Sequence, residues 1–290
     1  MARLNALAAA FATTLLTACS PAAILNATIP QGGVTVERGV SYGEGPRRQL
    51  DIYRAKASAT PLPLVVFIYG GSWRTGDRST YGFVGTPLAG LGAVVVVPDY
   101  RLYPEVGFPD FLDDNARAVA WAVAHARELG ADPRRVFIMG HSAGAFNAAM
   151  LATDPRLLAG AGLDRTAIAG VIGLAGPYAF LPTTDPDVIP IFGPANTPAN
   201  QPAGHVDGRN PPLLLLHGNS DNTVRPANTR LLAAKVSEAG GCVESRIYPD
   251  VGHIGIITAF APLFSRRAPV LDDVWHFITQ QRPARAAAGL

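Results

Sequence analysis

At 290 residues, 48% hydrophobic and 16% charged, the chain is long enough to bury one well-filled core and too apolar to stay disordered over most of its length. Its 30 glycines and 25 prolines stay below the roughly 25–30% share typical of low-complexity chains. The 24 basic residues nearly balance the 22 acidic ones, for a net charge of +2, and the pairs Arg47-Arg48, Arg134-Arg135 and Arg266-Arg267 are scattered, so the basic stripe that nucleic acid requires is missing and no nucleic-acid partner is expected.

The first eighteen residues read as a signal segment separate from the domain. Met1-Ala2-Arg3 is a short positive start, and Leu4 to Leu16 is apolar or small except at Asn5, Thr13 and Thr14, the layout of a secretory signal. The run is shorter than the ~20 residues of a membrane span, and Pro21 follows it. Leu16-Thr17-Ala18-Cys19 resembles the lipobox of bacterial lipoproteins, which implies cleavage before Cys19, acylation of that cysteine and a lipid-anchored protein of the cell envelope. An ordinary signal with secretion, or an N-terminal helix that joins the core, are the competing readings. Residues 20–33, rich in Ala, Pro, Asn and Gly, read as a tether, leaving one domain over 34–290. With Cys19 lipidated, Cys242 has no partner in the chain, and no intramolecular disulfide is expected.

From Val34 onward, apolar runs of strand length alternate with longer amphipathic segments, which predicts a mainly parallel sheet of eight strands with helices on both faces. The strands are expected over Val34 to Tyr42, Gln49 to Tyr53, Leu64 to Tyr69, Ala93 to Pro98, Arg135 to Met139, Ile168 to Leu174, Pro212 to His217 and Val243 to Tyr248. Runs such as Leu64-Val65-Val66-Phe67-Ile68 and Val94-Val95-Val96-Val97 are apolar at every position, as buried parallel strands are. The first two strands alternate and suit an antiparallel edge. Helices are expected near Ser79 to Leu91, Asp110 to Leu129, Gly144 to Ala152, Arg225 to Gly240 and Pro269 to Gln280; in the second, Ala116, Val119, Ala120, Val123 and Ala124 define one apolar face. Residues 177–211 break the pattern with prolines at 182, 186, 190, 194, 198, 202 and 211, so a helix cannot run through them. They also carry Phe180, Leu181, Ile189, Ile191 and Phe192, which a solvated loop would not need, and the segment reads as a wall or lid over a pocket.

Chemistry concentrates where strands end. Arg135 to Met139 leads into Gly140-His141-Ser142-Ala143-Gly144 and then the small-residue run Ala145-Phe146-Asn147-Ala148-Ala149, the strand, tight turn and helix of a nucleophile elbow. A serine capping the helix start is the bland alternative. A serine hydroxyl needs a base, and the base needs an acid to hold its tautomer. Asp221 follows the strand ending at His217-Gly218, and His253 follows Val243 to Tyr248 within Asp250-Val251-Gly252-His253-Ile254-Gly255. Lying between glycines, His253 is expected on a flexible loop able to swing over Ser142. The chain order Ser, Asp, His is that of α/β-hydrolases. Among the rivals, His141 would point away from the base position, His125 and His276 sit on helices, His217 organises its loop, and His205 is the understudy to His253. Asp99 precedes Ser142, and Asp250 could orient His253 locally. Acyl transfer also needs amide donors aimed at the oxyanion. Ala143 N–H supplies one, and Gly71 and Ser72, in the turn Tyr69-Gly70-Gly71-Ser72-Trp73, are the expected others.

Together the turn at Tyr69 to Trp73, the segment Asp99-Tyr100-Arg101-Leu102-Tyr103-Pro104-Glu105, the elbow and the two loops resemble carboxylesterases of the α/β-hydrolase fold, closest to the bacterial branch near the hormone-sensitive-lipase and feruloyl-esterase-like groups. The resemblance implies Ser142, Asp221 and His253 as triad, and Gly71, Ser72 and Ala143 as oxyanion donors. It departs at Tyr69, where the family usually has a histidine that braces the oxyanion loop, so a tyrosine hydroxyl must brace it differently. The expectation is a serine carboxylesterase acting on a small ester of short to medium acyl chain, with Tyr69, Trp73, Phe180 and Phe192 as pocket walls, the last three being equally suited to the core. Arg101 and Glu105 read as structural. No metal or cofactor is expected, since paired-histidine zinc, phosphate-loop and dinucleotide motifs are lacking. An amidase, formamidase or peptidase of the same fold remains open, as does a non-enzymatic binding module.

Overall fold

In a computed structural model of the chain, residues 25–29, 32–56 and 58–281 are described. The signal segment 1–18 and Cys19 lie outside the described residues. One eight-stranded sheet has the order β1-β2-β4-β3-β5-β6-β7-β8, comprising β1 (Val34–Ser41), β2 (Gln49–Ala55), β3 (Leu62–Ile68), β4 (Val94–Pro98), β5 (Ala131–His141), β6 (Ile168–Leu174), β7 (Leu213–Gly218) and β8 (Val243–Tyr248). The first two strands pair antiparallel, as their alternation predicts, β2 runs antiparallel to β4, and every other pairing is parallel. Every residue of β4, β6 and β7 is buried. Adjacent residues of a strand point to opposite faces, so both faces of the sheet are covered there.

The covering helices are α1 (Gly82–Gly90), α2 (Asp110–Ala124), α3 (Ala143–Thr153), α4 (Pro155–Gly160), α5 (Ile189–Phe192), α6 (Ala227–Glu238), α7 (His253–Thr258) and α8 (Val270–Gln280). Three departures from the sequence reading have physical causes. The segment expected as one helix from Ser79 starts as a 3-10 turn, Arg78–Tyr81, capped by the Asp77 side chain on Ser79 N–H, before α1 takes over. Helix α2 stops at Ala124, five residues short of expectation, and the chain turns through Gly130 at φ +80°. Helix α4 was not foreseen, although Asp154 accepts from Arg156 N–H and Pro155 sits at the first turn, a regular start signal.

The expected tether is also partly domain. Leu25 and Ile29, four residues apart on one helical turn, are buried in the core, and the Asn26 side chain donates to Thr80 O and accepts from Phe83 N–H. Apolar spacing of i and i+4 is enough to seat a single turn. The proline-rich segment 177–211 holds only α5 and three 3-10 turns, each with proline in its first turn. It is pinned inward by Ile191 and Phe192, both buried, and by Phe108 N–H donating to Ile191 O.

Candidate active site

Because β3, β5, β7 and β8 run parallel, the loops that follow them emerge on one edge of the sheet, where open α/β sheets carry their sites. Ser142 directly follows β5, with φ 54° and ψ −123°. Such a conformation costs a non-glycine residue about 1–3 kcal/mol. It is held by Ser142 N–H donating to Leu174 O at 2.9 Å, while Ser142 O accepts from Ala145 N–H and Phe146 N–H at 2.9 and 3.1 Å. The flanking glycines make the turn possible. A Cβ on Gly140 would lie 2.2 Å from Gly144 O, and one on Gly144 would lie 2.0 Å from Ile68 O. Ser142 makes no side-chain cap bond to α3, so the capping alternative does not describe it.

Its hydroxyl instead lies 2.8 Å from His253 Nε2, and His253 Nδ1 lies 2.7 Å from Asp221 Oδ2. Oδ1 of the same carboxylate accepts from Thr223 N–H at 2.9 Å and Val224 N–H at 2.8 Å. The three residues, 79 and 32 positions apart, thus form one hydrogen-bonded chain, with the acid fully buried and the imidazole only slightly exposed. His253 is not on a swinging loop as expected. It is the first residue of α7, and its approach is knitted to the Asp221 loop by Ser220 N–H to Val251 O and Asp250 N–H to Asn219 Oδ1. Asp250 points its carboxylate at neither partner among the described hydrogen bonds, and His205 sits 3.8 Å from Asp154 instead of near Ser142.

His141 does more than point away. Its Nε2 lies 3.0 Å from the carbonyl oxygen of His253, and its ring lies against that of His253 with centroids 4.9 Å apart. A carbonyl only accepts, so Nε2 carries the proton. Burial pushes this imidazole down from 6.5 to about 3, and burial also lowers His217. Below pH 6.5 the unfolded chain therefore binds protons that the fold refuses. Stability is full above pH 6.5 and falls on acidification, by up to about 1.4 kcal/mol per pH unit for each such imidazole. Thermal melts between pH 7 and pH 5 should show a steadily falling Tm. A flat Tm over that interval would mean that these rings titrate normally in the folded state.

The turn after β3 carries the expected oxyanion donors. Gly71 has φ +125°, and Ser72 and Trp73 follow at +51° and +57°. Neither Gly71 nor Ser72 N–H donates to any acceptor among the described residues. Ala143 N–H opens α3 and has no intrahelical acceptor. Gly70 presses on the serine, since a Cβ there would lie 2.9 Å from Ser142 Cβ.

Tyr69 is not a pocket wall. It is completely buried beneath this turn, stacked on Tyr81 and Tyr100. Its hydroxyl donates to Asp99 Oδ1 at 2.7 Å and accepts from Arg47 Nη2 at 2.7 Å, and the same Arg47 nitrogen donates to Gly76 O at 2.9 Å. Asp99 is further held by the Arg78 guanidinium and main-chain N–H, and Arg78 reaches Asp51 as well. Burial raises the Tyr69 phenol far above its ordinary range, so it stays a donor. A phenol thus anchors both ends of the 69–76 turn through Arg47, a residue with no local sequence signal for this task. Tyr69→Phe is expected to lower kcat severalfold with little change in KM, and to cost about 1–3 kcal/mol from the polar partners left buried. Unchanged ester kinetics would reject the bracing role.

The aromatic residues expected as walls form a packed cluster. Trp73 and Phe192 are buried, and Trp73 meets Phe111, Phe146, Phe180 and Phe192 at centroid distances of 5.8, 5.3, 6.2 and 5.2 Å. Trp73 Nε1 donates to Asn147 Oδ1 at 2.9 Å, tying the turn to α3. Trp73 and Phe192 therefore belong to the core, and the half-buried Phe180 is the outermost ring of the three. Arg74, next to the donors, sends Nε and Nη2 to the main-chain oxygen of Asp187 at 3.0 and 2.6 Å and lies over the Tyr103 ring, which links the turn to the proline-rich segment. Arg101 is structural as expected, binding Asp114 through its main-chain N–H, Nε and Nη2, whereas Glu105 is exposed and forms no ion pair among the described residues.

The parallel sheet, the serine at the sharp turn after β5 and the acid and histidine after β7 and β8 define the α/β-hydrolase fold. The BD-FAE family model matches residues 50–188, just under half of the chain, spanning the Tyr69 turn and the elbow but ending before Asp221. A probable isoprenylcysteine alpha-carbonyl methylesterase of Arabidopsis thaliana is 27% identical over 75% of this chain and 51% of its own length. Esterase LipC of Mycobacterium tuberculosis is 30% identical over 70% of this chain and 57% of its own length. The chain thus spans little more than half the length of these two relatives. A propionate-bound esterase from Thermogutta terrifontis is 25% identical with a TM-score of 0.69, covering 88% of this chain and 98% of the other.

Proposed function

We propose that the protein is a serine carboxylesterase. The observation that carries this reading is the unbroken chain from Ser142 Oγ to His253 Nε2 at 2.8 Å and from His253 Nδ1 to Asp221 at 2.7 Å. In this reading Ser142 Oγ attacks the ester carbonyl carbon as its proton passes to His253 Nε2, and Asp221 holds the ring in the tautomer that can accept it. The charge that builds on the carbonyl oxygen is met by the N–H groups of Ala143, Gly71 and Ser72. Collapse of the tetrahedral intermediate expels the alcohol, protonated by His253, and leaves an acyl group on Ser142. Water attacks that acyl carbon with His253 again as base, releasing the acid and restoring the serine.

The substrate in this proposal is a small carboxylic ester of short to medium acyl chain. Support comes from the packed aromatic cluster around Trp73, which occupies space next to the oxyanion turn, and from the esterases among the relatives, one of which holds propionate. An envelope location through lipid on Cys19 belongs to the same proposal. Among the described residues, no helix is long and apolar enough to cross a membrane.

A p-nitrophenyl ester series of graded acyl length, run beside matched anilides, tests the reaction, and peptide mapping after treatment with an organophosphonate tests the nucleophile. Ester turnover falling off at long chains, with a single adduct on Ser142, is the expected result. Faster anilide cleavage would favour an amidase, and folded protein without an adduct on Ser142 would overturn the enzyme reading. Mass spectrometry of the amino terminus should show acylated Cys19; envelope protein that begins at an unmodified Met1 would reject the anchor.

A further inference from the structure

Beneath the acid lies a second imidazole that takes no proton in the proposed reaction. His217, the fifth residue of β7, is completely buried. Its Nε2 lies 3.1 Å from Asp221 Oδ2 and 2.8 Å from the carbonyl oxygen of Val224, and its Nδ1 lies 2.8 Å from Thr229 Oγ1. The carbonyl can only accept, so Nε2 bears the proton and shares it between Val224 O and the carboxylate. Nδ1 then accepts a hydrogen bond from the Thr229 hydroxyl, which fixes a neutral ring with every polar atom satisfied. Burial disfavours its cation and supports that assignment.

The carboxylate oxygen that His217 touches is the same Oδ2 that holds His253. Asp221 is consequently gripped by four N–H donors, two main-chain ones on Oδ1 and two imidazole ones on Oδ2. The titratable groups facing one another here are His141 from the end of β5, His217 from β7, Asp221 from the following loop and His253 from the start of α7, while α6 contributes Thr229. Resting on the esterase reading above, we propose that His217 is a positioning residue of the reaction: by donating to the Oδ2 atom that also binds His253, it sets the plane of the Asp221 carboxylate and limits how strongly that oxygen pulls on the His253 proton. It touches neither substrate nor reacting atoms. The two main-chain donors hold Oδ1 within the spread of angles that hydrogen bonds tolerate, and a donor on Oδ2 narrows the libration about the Cβ–Cγ bond that this spread leaves. His217 supplies that second hold from a strand, the most rigid element available, while the His253 end must survive proton transfer in every turnover.

The test compares His217→Leu, which removes the donor, with His217→Gln, whose side-chain nitrogen is the same number of bonds from Cβ as Nε2 and restores an N–H toward Asp221. All rates are expressed per site titrated by organophosphonate, so that misfolded protein does not count. His217→Leu should lower kcat roughly tenfold with KM within about twofold of the parent. In proton NMR, its His253 Nδ1–H resonance should move to lower field, because Oδ2 has lost its second donor. His217→Gln should return both toward the parent. A purely structural histidine would instead lower the number of titratable sites and the Tm, leaving the per-site kcat and the resonance where they were, and that result would overturn the proposal. Failure of the parent protein itself to react at Ser142 would sink the esterase reading, a separate outcome from unchanged kinetics in the Leu variant.

Discussion

Asp221→Asn is expected to lower kcat about ten-thousandfold while the domain remains folded. The geometry dictates which way the new amide faces. Thr223 N–H and Val224 N–H both donate to Oδ1, so the amide oxygen stays on that side and its NH2 takes the place of Oδ2. That NH2 then confronts His253 Nδ1, 2.7 Å away, and His217 Nε2, 3.1 Å away. His253 answers by moving its proton to Nε2, which now presents N–H to the Ser142 hydroxyl and cannot receive a proton from it. KM should change little, since nothing that would contact the ester has moved. Steady-state rates with a short p-nitrophenyl ester, read beside a thermal melt, check this. A variant within tenfold of the parent in kcat would show that the acid does not set the tautomer.

Gly144→Ala should remove both activity and folded protein, although it adds a single carbon. That carbon would lie 2.0 Å from Ile68 O and 2.5 Å from Tyr69 O, both main-chain atoms at the end of a central strand. Helix α3 is buried along its whole length and has no slack through which to retreat. The expected loss is about 4 kcal/mol or more, the range of exceptional core disruptions. Gly90→Ala is the matched control: nothing lies within 4 Å of its would-be Cβ at the end of α1, so stability should hold or rise slightly. Denaturant titration of the pair gives the comparison, and a Gly144→Ala protein of normal stability would show that strand and helix can separate at the elbow.

The strands were legible because buried parallel strands are apolar at every position, a pattern that Leu64 to Ile68 and Val94 to Val97 display without ambiguity. Parallel strands deliver their following loops to one edge, so Ser142, Asp221 and His253 could be matched from chain order alone. What stayed hidden depends on contacts between distant segments. Nothing near Arg47 announces that it bridges Tyr69 and Gly76, and nothing near Asp114 announces its pairing with Arg48 and Arg101. Tyr69 is expected as a wall, yet it directly continues β3 and its ring is buried, stacked on Tyr81 and Tyr100, contacts with distant segments that no local pattern announces. His253 looked mobile because glycines flank it, whereas Gly252 serves as the extended residue before a helix. The helical turn at Leu25 to Ile29 escaped notice because two apolar residues among small and polar ones are too few to register as a period.

The contact between Arg74 and the proline-rich segment ends on a peptide oxygen, that of Asp187, and not on a carboxylate. Any amino acid at position 187 would present the same oxygen, so the segment can drift in sequence at that point without loosening its hold on the turn that carries Gly71 and Ser72. Shortening or lengthening the backbone there has no such licence. Position 187 is thus free to vary by substitution, whereas an insertion or deletion between Asp185 and Ile189 would shift the oxygen that Arg74 holds.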